Sequence, residues 1–81
     1  MNETDLRAAL RDYITREMMR DAAYPLRDDE EFIRDGLVDS YALAELGVYI
    51  EEAYGLYISD PDLTVEKLGT LDRIVARVQR G

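Results

Sequence analysis

The chain has no cysteine, no histidine and no tryptophan, and only two prolines and one phenylalanine in its 81 residues. Without cysteine there is neither a disulfide framework nor a thiolate zinc site. Without histidine the commonest general base and the commonest transition-metal ligand are missing. Long apolar runs are absent too: no segment approaches the roughly 20 residues that cross a bilayer, and the opening "MNETDLRAAL" has no apolar leader segment. The expectation is one small cytoplasmic domain spanning 1–81, with too little chain to wall a deep cleft. Basic residues are scarce where acids are dense. From Asp28 to Glu66 there are twelve acids and a single base, Arg34, whereas the rest of the chain holds nine bases and six acids. An acidic middle repels nucleic acid and anionic membranes and attracts basic protein surfaces.

What is present is a folding sequence, with 47% hydrophobic residues in helical spacing. Asn2 is placed to cap a first helix over 3–20, with Leu6, Ala9, Leu10, Tyr13, Ile14 and Met18 on its apolar face. Pro25 prevents continuation. Residues 21–38, "DAAYPLRDDEEFIRDGLV", form a long connection in which "DDEEFI" suits a helical turn and Gly36 a positive φ. Leu26, Phe32, Ile33, Leu37 and Val38 are the residues in it that can plug a helical core. Asp39 or Ser40 caps a second helix, whose inward face is Leu43, Leu46, Gly47, Ile50, Ala53 and Tyr54 and whose outward face is Tyr41, Glu45, Val48, Glu51 and Glu52. Gly55 stops it. "LYI" is too short to seed a sheet. Thr64 caps a short helix over 65–68, and Thr70 caps a last helix with Leu71, Ile74, Val75 and Val78 inward and Arg73, Arg77 and Arg80 outward. The expected fold is all-α: a small bundle of three main helices and one short one, with a long first loop. A core this modest against so uneven a charge predicts marginal stability, weaker still at low salt.

Catalysis by the chain itself is excluded on chemistry. A nucleophilic Ser40 needs an adjacent base, and the surrounding Val-Asp-Ser-Tyr-Ala is no nucleophile elbow. Setting Gly36 at the sixth position of a calcium loop places Ile33 and Ala42 where carboxylates are required, so no such metal site is expected. Phosphate-binding glycine loops are absent. Taken alone, Asp39-Ser40 reads as a helix cap. A hydroxyl at a helix start is also exposed, at a place where unpaired amides and the dipole favour an attached phosphate. Another enzyme could load a group there, and the serine would need no base of its own.

"DGLVDSYALAEL", "IEEAYGLYISDPDL" and "LGTLDRIVARV" together resemble the acyl carrier protein family over nearly the whole length. The resemblance implies that Ser40 receives 4′-phosphopantetheine from coenzyme A through a phosphopantetheinyl transferase, and that Asp39 helps position the coenzyme in that complex. It also implies that the arm's thiol carries acyl or aminoacyl thioesters. Tyr41, Glu45, Val48, Glu51 and Glu52 match the outward positions of a helix recognised by basic partner surfaces, and Tyr54 and Tyr57 match hydrophobic positions. Implied partners are an acyl-loading ligase or acyltransferase and ketosynthase, condensation or tailoring enzymes, around a monomeric carrier. Tyr41 stands where leucine is common and Ala42 where an acid is frequent. The long acidic loop and the "EEAYGLYI" ending resemble free-standing carriers of polyketide or nonribosomal peptide biosynthesis more than those of housekeeping fatty-acid synthesis. The alternative is an acidic helical interaction module without the arm.

Overall fold

The computed structural model describes residues 2–81; Met1, within the expected domain, lies outside the described residues. Asn2 opens the first helix, α1 (Glu3–Tyr13), by accepting the Asp5 amide on its Oδ1 at 2.8 Å. Glu3 and Asp5 occupy the first turn, where the helix dipole favours acids. The expected run to residue 20 does not stay α-helical. Ile14–Met18 is wound as a π-helix, with the Met19 amide on the Ile14 carbonyl at 2.8 Å. The buried Thr15 accounts for this: its Oγ1 donates back to the carbonyls of Arg11 and Asp12, a contact that loosens the α ladder. Arg20, at φ 58°, ends the segment.

The long connection is a second wall of the core. Leu26, Phe32, Ile33 and Val38 are buried in it as expected, and Phe32 has no exposed surface. Leu37, expected inside, is instead 39% exposed. Gly36 sits at φ 85°, and the amides of Leu37 and Val38 both converge on the Phe32 carbonyl at 3.0 and 3.1 Å. The chain reverses there so tightly that only one of two adjacent apolar residues can face inward. The helical turn expected in "DDEEFI" forms slightly later, closed by the Asp35 amide on the Glu31 carbonyl at 2.8 Å.

The second helix, α2 (Ala42–Tyr54), buries Leu43, Leu46, Gly47 and Ile50 and ends at Gly55, whose amide bonds the Glu51 carbonyl. Tyr54 is half-buried and Ala53, expected inward, faces solvent. A 3₁₀ turn (Asp60–Asp62) leads to the short α3 (Val65–Leu68) and to α4 (Leu71–Arg80). Thr64 and Thr70 cap these two as their positions predict, accepting the Lys67 and Arg73 amides at 3.2 Å each. Leu71, Ile74 and Val75 are buried and Val78 is half-buried. The fold is thus a small all-α bundle of three main helices and one short one, with no strand among the described residues. No described helix is long and apolar enough to cross a membrane.

α1 and α3 both pack on α4. Ionic contacts tie the long loop to the helices: Arg11 of α1 pairs with Asp28, Arg34 with Glu66 on α3 at 3.2 Å, and Arg73 on α4 with Glu31 at 2.7 Å. Arg73, expected outside, is therefore half-buried against the loop. The Asp28 carbonyl also accepts the Asp72 amide at 3.0 Å, satisfying a donor in the first turn of α4. Gly69, between α3 and α4, is required by close approach, because a Cβ there would collide with the Val65 carbonyl.

Candidate functional site at the head of α2

Asp39 folds the chain into α2. Its Oδ1 accepts the Tyr41 amide at 2.9 Å and its carbonyl accepts the Ala42 amide at 3.0 Å. Neither of the two expected caps holds that position: the residue before α2 is Tyr41, which makes no side-chain cap, and Asp39 instead closes the turn leading into the helix. The next amides, of Leu43 and Ala44, bond the Ser40 and Tyr41 carbonyls at 3.1 and 3.3 Å. The donors that could receive an anion are therefore not those of the first turn proper. In the turn leading into α2, the amides without a partner among the described residues are those of Asp39 and Ser40.

Ser40 is exposed on this turn, and its hydroxyl has no hydrogen-bond partner among the described residues. Nothing there withdraws its proton. The one lysine, Lys67, is committed to Asp62 at 2.5 Å, and no group of three or more carboxylates converges as a metal site among the described residues. The hydroxyl is sterically available and chemically unactivated.

The outward face of α2 lies as its spacing predicts. Glu45, Glu51 and Glu52 are exposed, Tyr41 is 86% exposed and Val48 56%. Leu46 and Ile50, on the opposite side, are wholly buried. Charge concentrates here because acids elsewhere in the 28–66 span have partners. Asp28, Asp29, Glu31, Asp62 and Glu66 pair with cations, and Glu30 accepts the Tyr24 hydroxyl. Among the described residues, the acids of that span without such a partner are Asp35, Asp39, Glu45, Glu51, Glu52 and Asp60, all on α2 or the segments flanking it.

The fold adds a feature that one-dimensional spacing did not supply. Tyr13 of α1 stacks on Tyr49 of α2 with ring centroids 3.8 Å apart and planes 11° from parallel, and Tyr54 meets Tyr49 edge-on at 6.1 Å. Tyr13, Glu45, Val48, Tyr49 and Glu52 together line a shallow groove. Burial raises the Tyr13 phenol above its ordinary value, and the carboxylates of Glu45, Glu17 and Glu52 raise it further. Burial, with the neighbouring Tyr49 hydroxyl, pushes Tyr54 up to about 12. Tyr13 and Tyr54 stay neutral through the physiological range, and the groove presents an apolar, negatively framed surface. Tyr57, matched to a hydrophobic position, is 65% exposed beyond the end of α2. Helical spacing assigns Tyr13 to the core; the signal that it borders a site is its pairing with a ring on another helix, which no spacing within α1 reveals. Comparison with protein-family models, with curated proteins and with solved structures finds no match to this chain.

Proposed function

We propose that the chain is a carrier protein whose Ser40 receives a 4′-phosphopantetheine arm from coenzyme A, and that the arm's thiol holds acyl or aminoacyl groups as thioesters. The observation that carries this reading is the exposed, partnerless Ser40 hydroxyl at the head of a helix whose outward face is acidic. A phosphodiester on that oxygen would sit beside the positive end of α2 and the two unpaired amides of Asp39 and Ser40. The chain has no base to activate the serine, so a phosphopantetheinyl transferase supplies the chemistry and this chain supplies the acceptor. Asp39 keeps the turn in shape and offers its carboxylate near the site. The thiol of the attached arm provides the thioester linkage; the residues of the chain orient and present it.

The exposed face formed by Tyr41, Glu45, Val48, Glu51 and Glu52 supports recognition by basic partner surfaces. Negative charge speeds encounter, and the apolar Tyr41 and Val48 supply area that excludes water. The partners are the transferase, an acyl-loading ligase or acyltransferase, and ketosynthase, condensation or tailoring enzymes. The long acidic loop and the "EEAYGLYI" ending favour a polyketide or nonribosomal peptide pathway. A second reading has its own support: Asp39 already has a structural role in the turn before α2, and the tyrosine-lined groove on α2 does not involve Ser40. On that reading the chain is an acidic interaction module without an arm. Incubation with coenzyme A carrying a fluorescent thiol adduct and a broad-specificity transferase separates the two. The carrier reading expects label on the wild type and none on Ser40→Ala; label on neither favours the interaction module.

A further inference from the structure

The main basic feature of the fold lies away from α2. Arg73, Ala76, Arg77 and Arg80 form one stripe of α4, and with Lys67 and Leu68 of α3 and Asp62 of the 3₁₀ turn they line a groove of about 390 Å³. That volume is at the small end of the range for small-molecule pockets. Ala76 and Leu68 provide apolar lining between cationic residues.

The charges there do not cancel. Arg73 is occupied by Glu31 at 2.7 Å. The remaining three cations, Lys67, Arg77 and Arg80, share one carboxylate, Asp62: Lys67 bonds it at 2.5 Å and is the main cause that holds its carboxyl below the ordinary range, with smaller through-space contributions from Arg77 and Arg80. Arg77 is also incompletely satisfied. Its Nη1 donates to the Gly81 carbonyl at 3.2 Å, whereas its Nε–H is shut from solvent with no acceptor among the described residues. A buried donor with no acceptor gives up its hydration without compensation. Complementing the C-terminal dipole of α4 accounts for cations at Arg77 and Arg80. It does not account for an orphaned Nε or for Lys67 from another helix.

We infer that the groove between α3 and α4 binds a small polyanion bearing phosphate groups. The Nε and Nη2 edge of Arg77 is the fork that takes two oxygens of an oxyanion side by side. Binding would require the guanidinium to release the Gly81 carbonyl and turn that edge to the groove, where Arg80 and Lys67 supply the second and third charges. Three cations facing one carboxylate suit a ligand with several negative charges better than a single carboxylate. The site is separate from Ser40 and does not depend on the carrier reading.

Pyrophosphate is the probe. Isotope-labelled protein titrated with it at constant ionic strength should show saturable shifts of the Arg77 and Arg80 Nε–H signals and of amides around Lys67, while sodium acetate leaves them in place. Arg80→Gln, an exposed substitution, should weaken binding about tenfold, as expected for loss of a charged hydrogen-bond partner. Asp62→Asn should tighten it, because the internal competitor for the three cations is gone. Unsaturable or absent shifts, an equal response to acetate, unchanged affinity in Arg80→Gln, or weaker binding in Asp62→Asn would each overturn the assignment.

Discussion

Arg73 of α4 grips Glu31 of the long loop with both arms of its guanidinium, Nη1 to Oε1 at 3.2 Å and Nη2 to Oε2 at 2.7 Å. The same Nη1 reaches the Val65 carbonyl at 3.4 Å, so one side chain joins the loop, α3 and α4. Gly69 lies within this junction: a Cβ added there would collide with the Val65 carbonyl and stand 3.2 Å from Glu31 Oε1. Neither the backbone carbonyl nor the paired carboxylate is free to withdraw.

Gly69→Ala should therefore destabilise the fold by about 1–3 kcal/mol, the usual cost of forcing a methyl into a filled space. Chemical denaturation checks this. An unchanged midpoint would mean that the junction is looser than its geometry.

Phe32→Ala should cost about 3–5 kcal/mol, as removing a fully buried ring does. A domain of 81 residues has only about 4–12 kcal/mol in total. The variant should lose a large fraction of that stability, with its melting temperature by circular dichroism falling well below that of the wild type, although the ring comes from a loop and not from a helix. A mild loss would show that the loop is not part of the cooperative core.

Acid should act through Glu30. The Tyr24 hydroxyl first, and then the Arg27 amide, hold the Glu30 carboxyl below its ordinary value of 4.5. Its contribution is complete above that value and disappears as the pH falls through the lower folded-state value. Asp62, held down by Lys67, follows the same sign. Melting temperature should therefore fall on acidification, and the difference between wild type and Glu30→Gln should shrink as the pH drops below about 4.5. A difference independent of pH would contradict the role given to Glu30.

Charge reversal at Glu45 and Glu52, both exposed, should slow association with a basic partner while leaving helicity intact. It should also flatten the salt dependence of that rate, because screening acts only on a field that exists. Stopped-flow association across a salt series reads both effects, and identical slopes for variant and wild type would remove α2 as the steering surface.

How far the sequence reached depends on whether the cause was local. Asn2, Thr64 and Thr70 act within three residues of themselves, and all three cap as expected. The outward stripe of α2 follows from the 3.6-residue period and also held. Leu37 did not, because alternation in a loop is decided by where Gly36 reverses the chain. The π-helical winding at Ile14–Met18 depends on one hydroxyl, Thr15, choosing its partners. Across the α2 site, Asp39 and Ser40 were legible in place but not in detail: neither caps α2, because the helix begins later than expected, and which amides stay free is fixed only when the turn closes. The Tyr13–Tyr49 stack and the Arg73–Glu31 fork join residues 36 and 42 positions apart, and helical periodicity carries no information at that distance.

The carrier reading rests on the Ser40 oxygen being a handle for another enzyme. Intact-mass and peptide-level mass spectrometry after reaction with coenzyme A and a transferase tests it most directly. That reading predicts one phosphopantetheine per chain, located on the peptide containing Ser40 and absent from Ser40→Ala. An unmodified wild type with several active transferases, or an arm on any other residue, would contradict it.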